Sequence, residues 1–143
     1  MKELSTAEVS PEERITRYIL NRRHIKPEKG EIKVDAFLPT NPKPELPERQ
    51  TSVYRTINCE ETEIWAIGAQ HVENPEKKRL VLARGDLLAQ TISSQDLRIV
   101  PHPFPHPYHA NIVNWPNEES PEHRKAKALL LAQAAILIVR PST

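Results

Sequence analysis

The chain is poor in glycine: three of its 143 residues, where average usage is roughly 7%. That scarcity argues against a glycine-rich phosphate loop of the Rossmann or P-loop kind. There is one cysteine, Cys59, so no internal disulfide can form, and a reducing, intracellular setting is expected. Aromatic residues make up 5% of the chain, too few for the interleaved rings that single-stranded nucleic acid prefers. Formal net charge is +1, so overall charge draws the chain to neither nucleic acid nor membrane. The longest apolar stretch, Ala128–Val139, is broken by Gln133; a membrane span needs about 20 residues. The first residues, Met1 to Thr6, carry no apolar core of a secretory signal. A cytoplasmic protein with no membrane partner is the expectation.

Proline is what the chain has in excess, with 14 residues. They gather in two places. The run from Pro39 to Pro47 marks a stiff exposed connector, placed at 39–50. The run Pro101-His102-Pro103-Phe104-Pro105-His106-Pro107-Tyr108-His109 alternates proline with rings. Proline fixes φ and removes a backbone donor, so 101–108 reads as an extended, ring-bearing loop.

Patterning gives the elements. Ser10-Pro11-Glu12-Glu13 has the form of a capping box with proline at the first helical position. Ile15, Tyr18 and Ile19 share a helical face, so the pattern predicts a helix over 11–23. Glu31–Leu38 alternates and predicts a strand with Ile32, Val34 and Ala36 inward. Thr51–Ile57 reads as a strand. Asn58 and Glu61 suggest a second capping box and a helix over 59–73 that buries Ile64 and Ile67. Arg79–Ala83, Leu97–Val100, His109–Trp115 and Ile136–Val139 read as strands. Asp86 is placed as the cap of a short helix over 87–91, and Ser120-Pro121-Glu122 opens a helix over 121–134.

The order lacks regular β-α alternation. It predicts a single α+β domain over 10–143, after a disordered stretch at 1–9. The sheet is mixed or mostly antiparallel, with about five or six strands. Three or four helices are expected, on one side of it.

Four sets of residues could carry function. His102, His106 and His109 have the chemistry of zinc ligands. In a polyproline helix of three residues per turn, His106 and His109 share an edge and His102 does not. The plainer reading is a rigid polar loop that needs no cofactor. A second set is catalytic: His109, His106 and Arg84, where histidine moves a proton and arginine holds a phosphate or an oxyanion. Ser52, Tyr54 and Arg55 lie on another strand that could converge with them at one sheet end. The plainer reading pairs Arg84 with Asp86 or a helix carboxylate, and bonds His109 to a backbone carbonyl. Third, Arg14, Arg17, Arg22, Arg23 and Lys26, with His24 and Lys29, form a basic stretch that could meet nucleic acid. Glu12, Glu13 and Glu28 dilute it, and a solvated helix face explains it more simply. Fourth, Phe104, Tyr108 and Trp115 would make rigid anchors for a partner protein. The alternative for these rings is packing onto the core. Cys59 sits at an expected helix N-terminus, where thiol pKa falls.

Several phrases occur together: His24 to Phe37, Thr51 to Arg55, Glu63-Ile64-Trp65-Ala66, Ala83 to Leu87, and His109 to Val113 with Trp115-Pro116. In these the chain resembles a set of small, uncharacterised bacterial proteins. The resemblance implies a bacterial, single-domain, intracellular protein and carries no activity with it.

The leading expectation is a small accessory domain that binds another protein through the Pro/His/aromatic loop. The alternative is a small enzyme acting on nucleic acid or a phosphorylated substrate through a His/Arg site. A His-ligated metal hydrolase stands third. The sequence leaves open whether the chain is an enzyme.

Overall fold

The computed structural model describes residues 7–116 and 121–142. Its frame is one six-stranded sheet, antiparallel throughout. The strands are β1 (Arg14–Ile19), β4 (Thr51–Arg55), β5 (Ala83–Leu88), β6 (Arg98–Pro101), β7 (His109–Val113) and β8 (Ile136–Val139). Their spatial order is β6-β7-β4-β1-β5-β8. A two-stranded ribbon of β2 (Ile25–Lys26) and β3 (Glu31–Ile32) stands apart from the sheet. Gly30 turns this ribbon at φ 60°, a left-handed position that suits glycine. The described residues also form three α-helices: α1 (Glu61–His71), α2 (Ala89–Ser93) and α3 (Pro121–Ala134).

The α+β class is therefore as the patterning predicts, with the sheet wholly antiparallel. The helices, however, lie on both faces. One cluster joins Ile15, Ile19, Phe37, Val53, Ile112 and Leu131, burying the face under α2 and α3. The other joins Tyr18, Tyr54, Cys59, Ile64, Ile67 and Val81 under α1. Gly68 lets α1 sit this close, since a Cβ there would meet the Tyr18 ring at 2.8 Å.

The largest correction is at the start. Residues 14–19 form the central strand β1, not a helix. The capping chemistry is present: Glu13 Oε2 accepts from the Ser10 amide at 3.0 Å. It closes a turn, and the chain then extends. Ile15 and Ile19 fill one apolar layer while Thr16 and Tyr18 face the other way. A strand buried on both faces loses the alternation that would announce it.

Smaller shifts follow the same logic. The strand expected at 79–83 forms instead at 83–88, and Asp86 sits inside it rather than capping a helix. The strand expected over 31–38 stops at Ile32 and becomes a 3₁₀ turn at Val34–Ala36, although Ile32 and Ala36 do point inward. Helix α1 begins after Glu60 with no side-chain cap, so Asn58 plays no capping part. Residues 7–9, expected to be disordered, are held. The Ala7 carbonyl accepts from Arg55 Nη1 at 2.8 Å, and Val9 packs on the core. Residues 1–6 lie outside the described residues, as does Ser120, the expected start of α3. No described helix is long and apolar enough to cross a membrane.

Candidate functional site

A fault in the middle of the sheet makes the site. β1 pairs with β5 at six positions, but with β4 at two, Ile15↔Arg55 and Thr16↔Tyr54. Beyond Thr16 the two central strands part. The Arg17 side chain bridges the gap, its Nε donating to the Ala36 carbonyl at 2.8 Å and its Nη1 to the Ser52 carbonyl at 2.8 Å. A guanidinium thus takes over work that a ladder hydrogen bond does elsewhere in the sheet. Desolvation pushes the Arg17 pKa down to about 10, which still leaves it protonated at neutral pH.

The parted strands open a cleft of about 440 Å³. Arg17, Arg22, Arg79, His24, Ser52 and Tyr54 line it, with Tyr18, Asn21 and a few apolar side chains. Among the described residues lining it there is no Asp or Glu. Asn21 fixes the rim by accepting from the Arg23 amide at 2.9 Å, which starts the 3₁₀ turn carrying Arg22 and His24. Burial lowers the His24 pKa, and Asp35 pulls it back in part. Among the described residues, Arg17 makes hydrogen bonds to two carbonyls and to no carboxylate.

Ser52 connects this cleft to a histidine. β4 pairs with β7 so that Tyr54 faces His109 and Ser52 faces Asn111. All four lie on the α1 side of the sheet by strand alternation. Ser52 Oγ stands 2.7 Å from His109 Nε2. His109 Nδ1 stands 2.9 Å from the His102 carbonyl. A carbonyl can only accept, so Nδ1 carries the proton and Nε2 presents its lone pair to the serine hydroxyl. Burial holds the His109 pKa below the ordinary histidine value, outweighing the carbonyl bond that raises it. The result is a neutral imidazole oriented as a base on an exposed serine. Its orienting group is a carbonyl, in the place a carboxylate takes in a Ser-His-Asp triad. Beside it, the Tyr54 ring meets the His109 ring edge-on at 5.2 Å. The buried Tyr54 phenol has a raised pKa and remains a donor.

The other predicted residues fall elsewhere. Arg84 lies on the same face as His109, but β4 and β1 stand between them. It is fully buried, bonded to Asp86 at 3.1 Å and Glu61 at 2.7 Å, and stacked over Trp65 at 4.8 Å. Both partners of its plainer reading are present at once. His106 packs its ring at 5.0 Å from His71 and at 6.3 Å from Tyr54. Its Nδ1 accepts from the Tyr108 amide at 3.0 Å, so it is turned away from the serine pair. Burial, then the charge of His71, lowers its pKa. His102 and His109 bring their Nδ1 atoms to 3.3 Å, but His106 does not join them. Among the described residues, no group of three or more His, Cys, Asp or Glu is arranged to hold a metal ion.

The basic stretch is divided. Arg14 turns inward to the Thr56 and Cys59 carbonyls, Arg17 bridges the strands, Arg22 and Arg23 are exposed, and Lys26 is half-buried. It is not one face of a helix, because the chain here is a strand and a turn. Phe104 is 74% exposed at the loop tip, Tyr108 is half-buried against the α1 cluster, and Trp115 is in the core with Nε1 donating to the Ile112 carbonyl. Trp115 is therefore not available as a surface anchor. Burial and the neighbouring Glu63 push the Cys59 thiol up to about 11, opposite to the expected direction.

Ser52 and Tyr54 were visible as strand residues able to converge with His109. Arg79 reads as the first residue of a strand over 79–83, and nothing in that pattern places it at a cleft; the strand forms at 83–88 and leaves Arg79 in the connection before it. Arg17 read as solvent-facing because its strand read as a helix. No family model, no curated protein and no solved structure matches the chain.

Proposed function

We propose that the protein is a small enzyme that acts on a phosphorylated substrate held in the cleft between β1 and β4. One observation carries this reading. A cleft lined by Arg17, Arg22, Arg79 and His24, with no lining carboxylate among the described residues, opens onto Ser52 bonded to a neutral His109. A half-buried guanidinium matched by carbonyls alone keeps its charge uncompensated, and an anion would complete it. Guanidinium forks suit phosphate oxygens. The Tyr54 hydroxyl makes no hydrogen bond to a described residue and adds a neutral donor to the lining. The test is calorimetric titration with inorganic phosphate. Wild type is expected to bind, and Arg17→Gln to bind about tenfold or more weakly, the worth of one charge-assisted hydrogen bond. Equal binding by the two proteins would remove the cleft from consideration.

A second reading has its own support. The Phe104 ring stands in solvent on a loop fastened at its base, where the His102 amide donates to the His109 carbonyl at 2.9 Å. A fixed, exposed aromatic suits capture of a partner protein at low entropic cost. Native mass spectrometry of wild type and Phe104→Ala, each purified from its host, checks it. A bound chain lost in the variant is the expected result for this reading.

A further inference from the structure

The inference here rests on the phosphate reading and names the chemistry within it. We propose that Ser52 is the nucleophile of a phosphomonoester hydrolase, forming a phosphoserine intermediate with His109 as the base. Three features of the geometry meet at this residue. The residue is exposed, and its Oγ, at 2.7 Å from Nε2, has a hydrogen-bonded proton acceptor. Its carbonyl holds the Arg17 guanidinium, so one residue joins the reacting oxygen to the cation that would grip the phosphoryl oxygens. The cleft places further cationic side chains, Arg22 and Arg79, around the same space, which suits a dianionic monoester better than a singly charged diester.

The steps balance. Ser52 Oγ attacks phosphorus and its proton passes to His109 Nε2. The phosphorus–oxygen bond to the substrate alcohol breaks, and that oxygen takes the proton from Nε2. The arginines stabilise charge on the transferring phosphoryl group, which is where catalysis of this reaction class is concentrated. A water molecule then attacks the phosphoserine, giving its proton to Nε2. The bond from phosphorus to Oγ breaks, Oγ recovers the proton, and inorganic phosphate leaves. The Nδ1 proton stays on the His102 carbonyl bond throughout, which keeps the ring in register.

The experiment uses the full chain with p-nitrophenyl phosphate as probe and inorganic phosphate as a separate binding ligand. Rapid acid quench followed by peptide mass spectrometry is expected to find one phosphoryl group, on Ser52. Ser52→Ala is expected to lose turnover by at least about 100-fold, and inorganic phosphate binding is read separately on wild type. Ser52 is exposed, so the variant is not expected to unfold, and circular dichroism checks that. Turnover retained in Ser52→Ala, a phosphoryl group on another residue, or no turnover by wild type would each overturn the nucleophile assignment while leaving phosphate binding intact. Absence of phosphate binding by wild type would instead overturn the reading of the cleft on which it rests.

Discussion

Two arginines of neighbouring central strands, Arg84 fully buried and Arg17 half-buried, are treated in opposite ways. Arg84 on β5 is surrounded by its compensation: Asp86 on one side, Glu61 on another, the Trp65 ring below. Asp86 in turn accepts from the Thr16 hydroxyl at 2.9 Å, and Thr16 meets Thr56 at 2.7 Å. Arg17 on β1 has two carbonyls and a cleft. The first arrangement has its charge matched from within the chain, although Arg84 Nη1 is buried without a hydrogen-bond partner among the described residues. The second is left open, with its charge unmatched. Buried charge is retained in folded proteins when it is paired or when it has a task. By that rule Arg84 serves the architecture, as the plainer reading of the sequence has it, while Arg17 carries the proposed recognition.

Removing the matched arginine should have the largest effect. Arg84→Met leaves the Asp86 carboxylate buried without its cation, and such a break costs about 3–5 kcal/mol. Urea denaturation measures it, and phosphate affinity of the folded fraction should not move. Replacing Arg84 by Met and Asp86 by Leu together should cost less than Arg84→Met alone, because no charge is then stranded.

Acid should act next, on the open side. His24, His106 and His109 all have folded pKa values lowered chiefly by burial. The unfolded chain therefore binds protons that the folded chain refuses. Their contribution to stability is complete above the ordinary histidine value of about 6.5. It is lost as pH falls from there through the lowered folded values. Denaturation midpoints should drop across that window, and His109→Gln should flatten the drop. Glu13, with its pKa lowered by the Arg55 pair and the Ser10 amide despite opposing burial, adds a separate loss below the ordinary carboxylate value. A midpoint that does not fall between pH 7.5 and pH 5.5 would show that His109 is not held neutral.

The smallest effect should come from Phe104→Ala. A ring that is 74% exposed contributes to stability within about ±0.5 kcal/mol. Thermal denaturation checks this, and a larger loss would mean that the ring packs on the domain.

The difference between the two arginines also explains how far the fold and site were legible. Helix α3 is read at its predicted bounds, because Ala and Leu dominate and its periodicity is helical. Strands β4, β6, β7 and β8 were marked by β-branched runs. β1 failed because Ile15, Tyr18 and Ile19 fit a helical face and Ser10 to Glu13 supplied a start signal. Only pairing with β4 and β5, whose partner residues lie 38 or more positions away in the chain, turns those residues into a strand. β5 was shifted because Arg84 and Asp86 look like turn residues until each has the other. The site suffered most, since it is made by an absence: pairing that stops after Thr16. No local pattern in β1 or β4 encodes that stop. The Ser52–His109 contact spans 57 residues and exists because Tyr54 and His109 share a register.

The most direct measurement is the arginine side-chain region of a nitrogen-15 NMR spectrum during titration with inorganic phosphate. The Nε–H resonances of Arg17 and Arg84 are assigned by single substitution. The account predicts that Arg17 shifts progressively and saturably while Arg84 stays in place. An unmoved Arg17, or movement of Arg84 alone, would contradict it.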